Sequence, residues 1–225
     1  MGGAYRNPSP AGTRARPLRY LPRMSTTPEH TAVDWAERYR EGNTPWDRGH
    51  EHAELARRLA SGQLAPPHPS ASCYVPGCGR GHDARALCRA GWRVTAKDIV
   101  AELAEEVGAT LARGGGRFAT GDGFEPEDGP HDLVWEHTFL CAIRLEERPS
   151  WARMVHRALR PGGRLAGVVF PADKPRSEGG PPWGYGVEEL AELLGPDFDL
   201  LERSLLPAGL EDRQWAQEFV LFRKR

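Results

Sequence analysis

The chain has 225 residues with 30 basic and 31 acidic side chains, so its net charge gives no ground for nucleic-acid or membrane binding. Its 39% hydrophobic fraction, roughly half the chain once glycine is counted, suffices for a sizeable core and excludes wholesale disorder. No apolar run approaches the ~18 residues of a membrane span.

Residues 1–23 carry Arg6, Arg14, Arg16, Arg19 and Arg23, no acid, and Pro8, Pro10, Pro17 and Pro22. They have neither the amphipathic helix of a transit peptide nor the apolar stretch of a secretory signal. Residues 1–27 are expected as a disordered leader and residues 28–225 as a single domain. Within that domain, residues 28–62 form an N-terminal segment and residues 71–225 the core.

A helix is predicted over Thr31 to Glu41, with Trp35 and Tyr39 four apart on one face. Gly42-Asn43-Thr44-Pro45 breaks it. A second helix, Glu51 to Ser61, has its inward stripe at Leu55, Ala56 and Leu59. Pro66, Pro67 and Pro69 mark a linker. Strand and helix patterns then alternate: strand 71–76, helix 83–90, strand 92–97, helix 100–113, strand 117–120, strand 131–136 and a turn over 138–143. Helix 146–159 follows, ended by Pro161-Gly162-Gly163, then strand 164–170 and helix 187–194. Strands 198–206 and 218–222 close the chain with no helix between them. This order implies a doubly wound parallel α/β sheet whose last pair is a hairpin, with one strand antiparallel.

Gly77, Gly79 and Gly81 alternate in the turn Val75-Pro76-Gly77-Cys78-Gly79-Arg80-Gly81-His82-Asp83, straight after a strand and opening a helix. Glycine there lets a ligand approach the backbone without Cβ interference. The pattern is GxGxG and not the GxGxxG of dinucleotide sites, which disfavours a nicotinamide cofactor. Asp98 ends the next strand, where a carboxylate can accept from both ribose hydroxyls. Asp122, flanked by Gly121 and Gly123 after the third strand, can meet an adenine amino group. Singly, Asp98 reads equally as a helix N-cap and Asp122 as a turn residue. The ordered set points to an adenosine ligand without phosphates, S-adenosylmethionine. Cys73, Cys78, Cys88 and Cys141 show no CxxC spacing and no His at a metal-finger offset, so reduced thiols, a cytoplasmic setting and no metal are expected.

Five separated stretches carry a family resemblance: Trp35-x3-Tyr39-x2-Gly42-x-Thr44-Pro45-Trp46-Asp47, VPGCGRGHD (75–83), TFLCAI (138–143), RPSWARM (148–154) and GGPPW (179–183). The chain resembles the thiopurine methyltransferase superfamily, and within it the plant and bacterial halide/thiol methyltransferases, over about residues 32–225. The resemblance implies a Rossmann-like class I methyltransferase fold: a seven-stranded, mostly parallel sheet with a C-terminal antiparallel strand and an N-terminal helical lid. It implies that Trp35, Tyr39 and Trp46 cover cofactor and acceptor, with Tyr39 at a place where the family often has Trp. It implies that Gly77, with Gly79 in the same turn, lies against the methionine moiety, and that Asp98 binds the ribose. Asp122 and Gly123 would flank the adenine, and Glu136 would stand near the cofactor's amino end. His137 falls beside the methyl acceptor, where relatives put Tyr or Arg. A His there can take a proton from a thiol near neutral pH; the other reading is a turn cap. Arg213, in Glu211-Asp212-Arg213, matches an Arg bordering the acceptor pocket and can steer an anion, or is a solvated surface Arg.

The expected reaction is methyl transfer to a small soft nucleophile, a thiol before a halide or a thiopurine, by a monomer with no nucleic-acid or membrane partner. The alternatives are another small acceptor, such as a selenium or tellurium oxyanion or an O- or N-nucleophile, and a cofactor-binding module without transfer activity.

Overall fold

Strand and helix alternate through most of the chain because β-branched and apolar runs are separated by glycine and proline breaks. The computed structural model of the protein describes Met1 and residues 33–225. Apart from Met1, the predicted leader lies outside the described residues, as do Thr31 and Ala32 at the start of the first predicted helix.

The helices are α1 (Trp35–Arg40), α2 (Ala53–Ala60), α3 (His82–Arg89), α4 (Ala104–Arg113), α5 (Arg148–Ala158) and α6 (Val187–Leu194). The strands are β1 (Ser72–Pro76), β2 (Arg93–Asp98), β3 (Arg117–Thr120), β4 (His131–His137), β5 (Leu159–Val169), β6 (Phe198–Leu205) and β7 (Glu218–Lys224). They form one seven-stranded sheet in the order β3-β2-β1-β4-β5-β7-β6. The first five strands run parallel to one another, and β7 is antiparallel to both β5 and β6. The fold expected from the sequence is therefore present, including the antiparallel C-terminal strand. From β1 the chain winds outward to β3, then returns to β4 on β1's other side. Right-handed crossovers put helices on opposite faces across that reversal. The crevice at the carboxyl ends of β1 and β4 is where a doubly wound sheet binds its ligand.

Two elements differ from the sequence reading. Pro161-Gly162-Gly163 does not separate helix from strand: β5 starts at Leu159, pairing with His131, and the register shifts before Leu133 meets Arg164. Gly162, at φ 78°, supplies the left-handed residue such a bulge uses. The inward face of α2 is Glu54, Leu55 and Arg58, not a purely apolar stripe. Arg58 is 2% exposed, donates to Glu54 at 2.7 Å and to both carboxylate oxygens of Glu202 on β6, and lies 3.7 Å over the Phe219 ring. Hydrophobic periodicity misses an arginine buried with its counterions.

Trp92, Trp135 and Trp151 are among the largest fully buried side chains of the core. Each finds an acceptor for its indole N–H, as a buried Trp requires: the Leu64 carbonyl at 2.9 Å, Asp83 Oδ2 at 2.8 Å and Glu136 Oε2 at 3.1 Å. Two of the three thus fix carboxylates at the ligand end of the sheet. Residues 34–225 form one compact unit. Among the described residues no helix is long and apolar enough to cross a membrane. The four cysteines are free, and three of them are buried.

Candidate active site

The glycine turn leaves β1 with Gly77, Gly79 and Gly81 all at positive φ, 57°, 52° and 70°. Gly81 is also the N-cap of α3. A Cβ on Gly79 would stand 2.7 Å from the Tyr39 hydroxyl, and one on Gly123 would stand 2.8 Å from Phe139 Cζ. The Phe139 ring likewise fills the place a Cβ on Gly77 would take. Gly77 and Gly123 therefore pack against one ring, Phe139, and Gly79 against the Tyr39 hydroxyl. Asp98, at the end of β2, accepts from the Gly79 N–H at 2.8 Å through Oδ2 and from the Val100 N–H at 3.0 Å through Oδ1. Burial pushes its pKa up against these bonds. Each oxygen keeps a further lone pair. Asp122 uses Oδ1 on the Phe124 N–H at 2.8 Å, the turn role the sequence left open, and is otherwise exposed.

The segment before α2 covers this space. Trp46 packs edge-on to Trp35 at 5.4 Å and to Tyr39 at 5.7 Å, and its indole donates to the Tyr39 hydroxyl at 3.3 Å. Burial raises the Tyr39 pKa, so the phenol stays protonated. Asp47 pairs with Arg80 of the glycine turn at 3.1 Å. Arg48 donates to the Asp212 carbonyl at 3.2 Å, and Arg213 to the Trp46 carbonyl at 3.0 Å, so the two loops grip each other. Arg213 is 8% exposed and lies 4.8 Å over the Phe170 ring. Burial, and then the charge of Arg48, lower its pKa. The Nε atoms of Arg48 and Arg213 are both buried without a hydrogen-bond partner among the described residues.

At the end of β4 the two candidate residues diverge. Glu136 turns inward: Oε1 accepts from the N–H groups of Phe139 and Leu140 at 3.0 and 2.9 Å, and Oε2 from the Trp151 indole. Burial raises its pKa, and its bonds hold the 138–143 turn that presents Phe139. His137 instead contacts Asp83 of α3, with Nδ1 to Oδ2 at 2.8 Å. Its Nε2 is buried with no partner among the described residues. The His52 ring stands edge-on to it at 4.7 Å.

The predicted residues thus fall into the glycine turn with Asp98, beside Tyr39, and His137 with Arg213, both near Asp83. The Asp122 carboxylate binds its own turn, and that of Glu136 the 138–143 turn and the Trp151 indole. Sequence reading missed Phe139, His52 and Asp83. Phe139 and Asp83 stand inside quoted motifs, but nothing in their spacing ties Asp83 to a histidine on another element.

The sheet order, the glycine turn and the acid ending β2 define a class I, Rossmann-like methyltransferase. The thiopurine S-methyltransferase family model matches residues 30–218, and the chain belongs to that family. It is 33% identical to the probable thiol methyltransferase 2 of Arabidopsis thaliana over 174 residues, 75% of this chain and 74% of that protein. It is 31% identical to thiocyanate methyltransferase 1 of Brassica oleracea, covering 72% of this chain and 71% of that one. Among solved structures, the Burkholderia thailandensis 1,6-didemethyltoxoflavin-N1-methyltransferase, with S-adenosylhomocysteine bound, superposes with a TM-score of 0.61 at 24% identity, covering 85% of each chain. The protein is an S-adenosylmethionine-dependent methyltransferase.

The residues present fit that cofactor. The cradle at Gly77, Gly79 and Gly123 has no room for a Cβ, and Asp98 has acceptor capacity left for two hydroxyls.

Proposed function

We propose that the methyl acceptor is a small thiol. The observation that carries this reading is the buried, unpartnered Nε2 of His137, a proton acceptor at the carboxyl end of β4. Bound S-adenosylmethionine supplies an electrophilic methyl group on a sulfonium sulfur. Gly77, Gly79 and Gly123 would hold the cofactor, Asp98 would take the ribose hydroxyls, and Asp122 with Gly123 would flank the adenine. Glu136 holds the turn that presents Phe139, which would stand near the cofactor's amino end. Trp35, Tyr39 and Trp46 would exclude water and offer π-faces to the sulfonium. His137 and Arg213 flank the acceptor, His137 Nε2 receiving the thiol proton.

A thiolate is a strong nucleophile, so proximity, alignment and desolvation suffice for the displacement. Relatives named for thiol and thiocyanate methylation support a soft nucleophile. A second reading, transfer to a small preformed anion such as a halide, is favoured by Arg213 alone, whose Nε has no partner among the described residues. The deciding experiment is a methyl-transfer screen across alkyl thiols, hydrogen sulfide, thiopurines, iodide and tellurite. A thiol is expected to give the highest kcat/KM; turnover of iodide or tellurite without thiol turnover would overturn the reading.

A further inference from the structure

Resting on the thiol reading, we propose that Asp83 is a positioning residue forming a dyad with His137, and that the acceptor therefore enters as a neutral, protonated thiol and not as a preformed anion. Asp83 Oδ2 lies 2.8 Å from His137 Nδ1. A carboxylate only accepts, so the neutral imidazole keeps its proton on Nδ1 and its lone pair on Nε2. That lone pair is buried, and no described residue meets it. A buried polar atom left without a partner calls for an explanation, and a ligand hydrogen supplies one.

The neighbouring imidazole cannot share the work. Gln217 donates through Nε2 to the Leu210 carbonyl at 2.8 Å, so its Oε1 faces His52. His52 therefore donates through Nε2 to that oxygen at 3.0 Å, while its Nδ1 accepts the Glu54 N–H at 3.1 Å. Both nitrogens are committed and the ring is neutral. Of the two adjacent histidines only His137 has a ring nitrogen without a partner among the described residues.

Asp83 is built to keep its charge. Oδ1 accepts from the His52 N–H at 2.8 Å and Oδ2 from the Trp135 indole at 2.8 Å as well as from His137. Against burial, which pushes it up, His137 and these donors hold the Asp83 carboxyl well below the usual carboxylate range. The titratable and charged groups around His137 are Asp83 on α3, His52 before α2 and Glu136 on its own strand, with Arg213 and Glu211 facing that group from the 210–213 loop. Asp83 offsets the imidazolium that forms when Nε2 accepts a proton, and a neutral acceptor brings that proton with it.

The step balances as follows for a thiol R–SH. The S–H bond breaks with the proton on Nε2 and the electron pair on sulfur. That pair forms the new S–CH3 bond as the old C–S bond breaks, its pair remaining on the sulfur of S-adenosylhomocysteine. The imidazolium then returns its proton to water.

The test compares wild type, His137→Gln and Asp83→Asn by kcat/KM between pH 6 and 9, with an alkyl thiol, an aryl thiol already ionised at pH 8, and iodide. Both variants are expected to lose about 10²-fold with the alkyl thiol at pH 7, the deficit shrinking as pH approaches that thiol's own pKa. The aryl thiolate and iodide should lose far less. Equal, pH-independent losses for all three acceptors would overturn the dyad. A second readout needs neither cofactor nor turnover. Imidazole 15N NMR of the free protein should show neutral His137 protonated at Nδ1, moving toward the Nε2–H tautomer in Asp83→Asn. Neutral His137 protonated at Nε2 in wild type sinks the proposal. Absence of any thiol turnover in wild type sinks the thiol reading, and the tautomer still decides the dyad.

Discussion

Asp98 accepts the Gly79 N–H at 2.8 Å, so the residue assigned to the ribose also sets the conformation of the glycine turn. The two roles are linked because the same carboxylate reads a backbone donor and, by our reading, two ribose hydroxyls. Asp98→Ala removes acceptors whose charge-assisted bonds are worth about 1.5–3 kcal/mol each. Calorimetric titration with S-adenosylmethionine should show affinity reduced at least tenfold, with a lowered Tm from the freed Gly79 and Val100 N–H groups. Unchanged affinity would remove Asp98 from the cofactor site.

The second prediction concerns the cradle. An alanine at position 123 brings a Cβ to 2.8 Å from Phe139 Cζ and 3.4 Å from the Gly77 nitrogen. Gly123→Ala should lower Tm and, by our reading of the cradle, cofactor affinity, because the Phe139 ring packed against Gly77 and Gly123 has to shift. Adding Phe139→Ala should restore part of the affinity, so the pair departs from additivity by roughly 0.5–3 kcal/mol. Thermal shifts with and without cofactor measure this coupling; strictly additive losses would show that the two residues do not share the space.

Much of this was legible in the sequence, and the reasons are local. Glycines at 77, 79 and 81 announce a turn because their backbone needs φ values that other residues avoid. The strand order follows from alternating elements plus the helix-free end of the chain. Pairings between elements were not legible. Asp83 and His137 are 54 positions apart in sequence and meet only because α3 packs beside the end of β4. Glu136 reads as a strand-end ligand, yet its carboxylate turns inward to two N–H groups and an indole, which no spacing rule reveals. Arg58 breaks the apolar stripe of α2 because Glu202 arrives from β6 to pair with it.

That ion pair carries the third prediction. Arg58 is 2% exposed and Glu54 6%, and removing the arginine leaves Glu54 with the half-exposed Arg57 as its remaining counterion and takes the guanidinium from Glu202. Arg58→Ala should cost about 3 kcal/mol, the low end of the penalty for breaking a buried pair from one side, because Arg57 still holds Glu54. Glu202 is 35% exposed, and Glu202→Gln should cost much less. Urea unfolding followed by tryptophan fluorescence gives both values; equal small losses would mean that α2 is not anchored through this arginine.

The last prediction links His52 to acid stability. Burial, and then the proximity of His137, push the His52 pKa down to about 4 in the folded protein, whereas an unfolded chain holds it near 6.5. Between those values the unfolded state binds the additional proton, so stability rises with pH across the window. The contribution is fully present above about pH 6.5 and is lost as pH falls toward 4, by an amount on the order of 3 kcal/mol. His131, also depressed by burial, adds to the slope with the same sign. The Asp83 contribution lies elsewhere: its folded pKa is lowered, so that stability is lost only below the ordinary aspartate value near 3.9. Asn is a good N-cap and does not titrate, so His52→Asn can keep the start of α2 while deleting the proton-linked term. Unfolding free energies measured from pH 4.5 to 7 should rise less steeply in His52→Asn than in wild type, with part of the slope remaining from His131. Superimposable slopes would mean that His52 does not supply this proton-linked term.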